Sequence, residues 1–171
     1  LHTVDTAEIE QDLESAIAQA RSEYDTIMSS EEAQHFALRA LSLLREVAVG
    51  EYDVFNVADA KPSLLQALDD DRQPIVTRAA EVLALIDETE TQQAIAESAL
   101  DDTRATETRI ALLGSLAESA TYFGGHLTVE QLEMLLDLVT SGQGELAVEA
   151  GRAHGALTQP TDNVVQLITS P

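Results

Sequence analysis

The sequence predicts an all-α fold, an α-α superhelix or solenoid of about four antiparallel helix pairs preceded by an N-terminal helix. Three observations carry this expectation. Apolar residues recur at three- and four-residue steps along most of the chain, nothing alternates convincingly as a strand would, and four helical segments repeat one another. The 171 residues, 44% hydrophobic and only 4% aromatic, suffice for one modest domain or one stack of repeats.

Ile9, Leu13, Ala16, Ile17, Ala20, Tyr24 and Ile27 follow helical spacing, and DTAE at 5–8 resembles a capping box. A long first helix is therefore expected from about Asp5 to Met28, occupying 1–30 as a cap or half of a repeat. Phe36, Leu38, Ala40, Leu41, Leu43, Leu44 and Val47 are too dense for one stripe, which predicts a helix buried on more than one side and capped by Ser29 and Ser30. Later starts are marked by Asp59, by Pro74 in a first turn, by Thr89, by Thr128 with Gln131 three residues on, and by Pro160. The strand-like stretch YDVFNVA at 52–58 alternates poorly and has no partner strand.

The repeated segments are ALRALSLLREVA at 37, VTRAAEVLALID at 76, ETRIALLGSLAE at 107 and AVEAGRAHGALT at 147, with starts 39, 31 and 40 residues apart. A shorter apolar helix follows each: PSLLQAL at 62, QQAIAESAL at 92, VEQLEMLLDLV at 129 and DNVVQLI at 162. The array 31–171 thus divides into units near 31–70, 71–102, 103–142 and 143–171. Leu-Asp-Asp recurs at 68–70 and 100–102, where a cap and the helix dipole favour negative charge ahead of the next helix. Ala79, Ala80, Ala84, Ala111, Gly114, Ala150 and Gly155 are small enough to let stacked helices approach closely, and thin layers filled by aliphatic residues need few rings.

These segments resemble the HEAT repeat family, of armadillo type, in its short bacterial form, where a turn Asp precedes a first helix carrying a Val, an Arg and paired small residues. Asp70 or Asp71, Val76, Arg78, Ala79, Ala80 and Leu83 carry the pattern, with Arg109 and Arg39 at the equivalent arginine position. The fourth unit departs from it, with Glu149 in place of the arginine and Gly144 in place of the turn Asp. The resemblance spans about residues 31–169 and implies an α-solenoid used as a scaffold or binding surface.

A formal charge of −22, from 31 acidic residues against 9 basic ones of which Lys61 is the only lysine, opposes phosphate backbones and anionic membranes. Neither nucleic acid nor a membrane is expected as a partner, and no apolar run approaches the ~20 residues of a membrane span. The absence of cysteine removes disulfides, thiolate metal sites and cysteine nucleophiles, and leaves the compartment open between cytoplasmic and exported. The chain begins with Leu1 and its periodicity starts almost at once, so a fragment of a longer polypeptide is expected.

His2, His35, His126 and His154 show none of the spacings that place two ligands on one helical face, and the aspartates at 69–71 and 101–102 lack the frame of a calcium loop. No metal is expected. LLGSLAES at 112–119 is the interior of a repeat helix rather than a nucleophile elbow, and no glycine pattern with a following Lys cradles phosphate, so no catalytic residue or cofactor is expected. His154 is expected to bond between helices and His35 to sit partly exposed in a first turn. Arg39, Arg78 and Arg109 would form a ladder, with Asp70 and Asp102 as turn aspartates. Pairing of Arg with a turn Asp to tie consecutive repeats outweighs an anion-binding strip.

The candidate binding site rests on two long connectors, about Val49–Asp59 and Ala120–Thr128, which hold four of the six aromatics. Tyr52, Phe55, Tyr122 and Phe123, with His126, would project from one edge, and inserted loops bearing aromatics mark binding surfaces. The alternative is that these rings fold back over the edges of the helix layers.

The leading functional expectation is a non-catalytic interaction or scaffold module whose acidic surface favours basic or mixed-charge protein partners. The alternative is a structural or regulatory domain of a larger enzyme or secreted assembly, its charge serving solubility in saline conditions. Some HEAT-like proteins are chromophore lyases and others alkyl-base DNA glycosylases. The charge opposes the glycosylase reading and no functional motif of the lyases is present, so an enzyme is not expected. An unsatisfied apolar face at either end would drive end-to-end homodimerisation.

Overall fold

A computed structural model describes residues 31–50 and 56–158, together with positions 15, 16, 18, 19, 22 and 24. Those six positions are helical. The capping box at 5–8, the caps Ser29 and Ser30, the start at Pro160 and the segment DNVVQLI lie outside the described residues, as do Tyr52 and Phe55. Seven helices follow: α1 (Glu31–Val49), α2 (Lys61–Leu68), α3 (Gln73–Leu83), α4 (Thr89–Leu100), α5 (Thr106–Phe123), α6 (Val129–Ser141) and α7 (Gly144–Thr158). A single 3-10 turn, Val57–Ala60, leads into α2, and no strand occurs among the described residues.

The chain divides into two compact units, Leu1–Arg39 and Ala40–Pro171. In the first, α1 begins with Ala33 buried and Phe36 67% exposed, the ring of Phe36 meeting that of His35 edge-on at 6.2 Å. In the second, α1 continues with Leu41 buried and Leu43 54% exposed. The dense apolar stretch 36–47 is therefore not buried on several sides, because only Leu41 within it falls in the core.

Local signals explain the starts unevenly. Pro62 and Pro74 occupy first turns, where the missing N–H costs nothing, and Thr128 with Gln131 forms a reciprocal capping box at α6. Asp59 does not cap α2. Asn56 caps the 3-10 turn, its Oδ1 accepting from Ala58 N at 3.1 Å, while Asp59 accepts from Asn56 Nδ2 at 3.3 Å. The Leu-Asp-Asp aspartates also act upstream of the helices they precede. The N-caps of α3 and α5 are Arg72 and Ala105, whose side chains make no capping bond, whereas Asp70 accepts from Arg72 N at 2.8 Å and Asp101 from Thr103 N at 2.9 Å. Lying two and four residues before the cap positions, they close the turn rather than the helix end.

Within the second unit α2 packs on α3, α4 on α5 and α6 on α7, each pair joined by a turn of two to five residues. In addition α4 touches α2 and α6, and α5 touches α3 and α7, so the pairs lie side by side. The central helix α5 buries residues on most sides, including Leu112, Leu113, Leu116, Ala117 and Ala120. The largest fully buried side chains are mostly aliphatic, among them Leu64, Leu83, Ile95, Leu116 and Leu135, with no ring among them. Each such side chain stabilises the fold by about 1.5–3 kcal/mol through removal from water. Ala79, Ala80, Ala84 and Ala150 are fully buried, as close packing requires. Ala111 is exposed, and a Cβ added at Gly114 or Gly155 would meet nothing within 4 Å, so these three are not points of close approach.

The connector after α5 is shorter than the sequence suggests. Residues 120–123 remain helical, placing Tyr122 and Phe123 in the last turn of α5 rather than in a loop. The turn comes at Gly124, with φ 80° and ψ −171°, a conformation open essentially to glycine alone. At the following Gly125 a Cβ would stand 2.5 Å from the carbonyl oxygen of Leu157 on α7. Gly125→Ala is expected to lower stability by about 1–3 kcal/mol because backbone must shift. Gly114→Ala is expected to raise it by about 0.5–1 kcal/mol, since it replaces an unconstrained mid-helix glycine. Urea unfolding of the two variants checks this, and shifts of the same sign would contradict it.

Candidate functional site

At the turn between α2 and α3 the guanidinium of Arg72 holds the Asp70 carboxylate bidentately, at 2.8 Å from Nε and 2.6 Å from Nη2. This pairing keeps the Asp70 carboxyl below its ordinary value of 3.8. At the next equivalent turn Asp101 accepts from the hydroxyl of Thr103 at 2.7 Å as well as from its N–H, and these bonds hold its carboxyl low too. Arg104 stands 3.6 Å from Asp101 and reaches across to donate to the Leu68 carbonyl at 2.7 Å. Arg109 donates to the Ala99 carbonyl at 3.0 Å. Two arginines thus satisfy carbonyls left open at the C-terminal ends of α2 and α4, helices with no basic residue in their own last turns.

The sequence-predicted ladder is therefore rebuilt. Arg78 pairs within its own helix with Glu81 at 2.6 Å, a residue that also lies 3.5 Å from Arg45, and Arg39 is an exposed residue of α1. Asp102 is exposed in its turn. The rung between consecutive turns is Arg104, and its signal was present as Leu-Asp-Asp-Asp-Arg at 68–72 against Leu-Asp-Asp-Thr-Arg at 100–104. Lys61 makes a second tie, its Nζ 2.6 Å from Glu88 and 2.8 Å from Glu90, and these two carboxylates push its pKa up to about 12.

Three glutamines hold the connector 124–128. Gln92, 1% exposed, donates from Nε2 to Ser119 Oγ at 3.2 Å and to the Gly124 carbonyl at 2.9 Å, and accepts from His126 N at 2.5 Å. Gln93 donates to the His126 carbonyl at 2.9 Å, and Gln131 donates back to the Gln93 carbonyl at 3.0 Å. Both backbone groups of His126 are thereby bound. Tyr122, 60% exposed, and the half-buried Phe123 lie beside this connector with ring centroids 6.0 Å apart. Tyr122 and Phe123 thus stand at the end of α5, and His126 lies in the braced connector that follows.

A different surface is concave. Between α2 and α4 runs a groove of about 600 Å³ with Leu65, Leu68 and Ala94 in its walls and Asp69, Glu97 and Asp101 among its lining. A second groove of about 580 Å³ lies between α4 and α6, sharing Glu97 and Asp101 and adding Asp102, Glu130 and Met134. Arg104 is the only base lining either. Helical periodicity gave no sign of these grooves, because they depend on which helices lie side by side. Among the described residues no cluster of three or more His, Cys, Asp or Glu could hold a metal ion, and no helix is long and apolar enough to cross a membrane.

No family model, curated protein or solved structure matches this chain.

Gln92→Met keeps the side-chain volume but leaves the Gly124 carbonyl, the His126 N–H and the Ser119 hydroxyl without this partner. The expected loss is about 2–3 kcal/mol in chemical denaturation, with faster amide exchange at 124–128, and an unchanged midpoint would contradict the bracing role. For pH, the lowered Asp70 contributes stability that is present above 3.8 and lost as pH falls through its depressed value. The raised Lys61 contributes stability that is present below 10.5 and lost as pH rises through about 12. Melting temperature against pH should accordingly lose part of its acid slope in Asp70→Asn and part of its alkaline slope in Lys61→Met.

Proposed function

We propose that the chain is a non-catalytic protein-interaction module, built as a HEAT-like solenoid, that binds basic or mixed-charge partners on the face formed by α2, α4 and α6. The repeat reading draws on helices that lie side by side and carry the segments that align in the sequence, although the packed pairs α2/α3, α4/α5 and α6/α7 join the shorter helix of one expected unit to the first helix of the next rather than the two helices of one unit. The observation that carries the functional reading is the pair of adjoining grooves with Asp69, Glu97, Asp101, Asp102 and Glu130 in their lining against the single base Arg104. Fixed negative charge over apolar walls attracts cationic segments and gives them a surface to desolvate on. The exposed Tyr122 beside Phe123 offers a separate apolar anchor.

The second reading, a structural or regulatory part of a larger assembly adapted to saline conditions, draws on the composition of one lysine and eight arginines against 31 acids. Affinity capture at low and moderate salt separates the two when the chain is compared with a Glu97→Lys, Glu130→Lys variant. The interaction reading expects a partner held at low salt, weakened at moderate salt and lost from the variant. Absence of any partner, with cooperative stability that climbs up to molar salt, would favour the structural reading instead.

A further inference from the structure

We propose that the flank of α6 turned away from α4 docks an amphipathic helix of a partner protein whose apolar seam is bordered by lysine or arginine. The reading above concerns the opposite flank, where α6 meets α4, so this is a second surface.

The sequence of α6, VEQLEMLLDLVTS, is dense in apolar residues, yet only Leu135 among them is buried. Among the described helices α6 touches α4 and α7 alone, and α7 touches α5 and α6 alone. The rows α2, α4, α6 and α3, α5, α7 therefore both end at this layer. Glu130, Gln131 and Met134 line the groove shared with α4. At the helical turn of about 3.6 residues, Val129, Leu132, Leu136 and Val139 fall on the opposite flank. Val129 is 73% and Leu136 45% exposed, and Leu132 and Val139 are half-buried. Val139 marks where this stripe meets α7, since its Cγ1 lies 3.9 Å from the place a Cβ would take on Gly151. On α7 the exposed Val148 shares a side with Gly151 and Gly155, and a Cβ added at Gly155 would meet nothing within 4 Å. The result is an apolar shelf along α6 with glycines at its α7 edge, where a second helix can come close to the backbone.

Spacing and charge together specify the occupant. Steps of three, four and three residues from Val129 to Val139 are those of a coiled-coil seam, which is covered by another helix presenting the same spacing. Glu133 and Asp137 are exposed along the solvent border of the stripe, and α6 carries neither lysine nor arginine. On α7 the one arginine, Arg152, is held by Glu149 at 3.0 Å. A covering helix must therefore bring its own cations to positions beside the seam. A second copy of the chain brings a further charge of −22 and the same carboxylates, so it does not meet that requirement. Residues 159–171 hold no lysine or arginine and do not meet it either.

The test is a fluorescence-anisotropy titration of the full chain with a fluorescein-labelled peptide of about 18 residues that carries leucines at seam spacing and lysines beside them. A peptide of the same composition, shuffled so that its leucines share no face, serves as control. The amphipathic peptide is expected to bind about tenfold tighter or better, and Leu136→Asp and Val129→Asp each to weaken it about tenfold. Both positions are exposed, so the variants should fold, as circular dichroism checks. Each adds negative charge, which by itself would favour a cationic peptide. Leu43→Asp, the same exchange at an exposed leucine of α1, should change binding by less than about twofold. Equal binding of the two peptides, or equal effects of Leu136→Asp and Leu43→Asp, would overturn the proposal and leave the groove reading standing. Tighter binding by Val165→Asp, Ile168→Asp would overturn it too, because the chain's own residues would then be competing for the shelf. A dimer in sedimentation equilibrium that Leu136→Asp dissolves would make a second copy the occupant, with the same consequence. Failure of the folded chain to bind either peptide at low salt would overturn this proposal together with the affinity for basic partners.

Discussion

The carboxamide of Gln92 is the interaction on which the arrangement of the later helices turns. It lies where α4, α5 and the connector 124–128 meet, and it supplies partners to a hydroxyl of α5, a carbonyl at the end of α5 and an N–H inside the connector. A chain leaving a helix by way of two glycines has many exits, and its polar backbone groups must be satisfied wherever it is not exposed. Gln92 selects one exit. With Gln93 and Gln131 completing the set, α6 begins at Thr128 with its own cap satisfied, and α7 can approach until the Leu157 carbonyl stands against Gly125. A polar residue thus determines where an aliphatic core is assembled, since leucine packing by itself is tolerant of direction.

Charge is organised on the same principle. Few bases are available, and several of them stand at helix ends or between consecutive turns: Arg104 at the end of α2, Arg109 at the end of α4, Lys61 between Glu88 and Glu90. Each cation serves a carbonyl or a pair of carboxylates where uncompensated negative charge would otherwise collect. Among the other carboxylates, Asp69, Glu97, Asp102 and Glu130 line the grooves of the α2, α4 and α6 side.

The candidate site was legible only in fragments. The Leu-Asp-Asp repeat marked the turns that carry Asp70 and Asp101, yet their role in closing turns rather than capping helices depended on distances of two and four residues that the pattern did not reveal. Thr128 and Gln131 were readable as a capping box because that motif is local. Gln92 was not, because its partners Ser119, Gly124 and His126 lie about thirty residues away. Tyr122 and Phe123 were expected in a loop. The helical ladder continues through them until Gly124, whose backbone only glycine adopts readily, ends it.

By itself the sequence determined that the described chain is helical, where several helices begin, which stretches repeat, and that its composition is strongly acidic, since all of these follow from residue spacing, local caps and composition. The tertiary structure alone decided which helices lie beside one another, which arginine joins consecutive turns, how the connector 124–128 is braced, and that acids of α4, of α6 and of two turns line two adjoining grooves. The physical reason is range. Periodicity and capping act within about one helical turn, whereas a hydrogen bond from Gln92 to His126 or from Arg104 to Leu68 exists only after helices distant in sequence have packed.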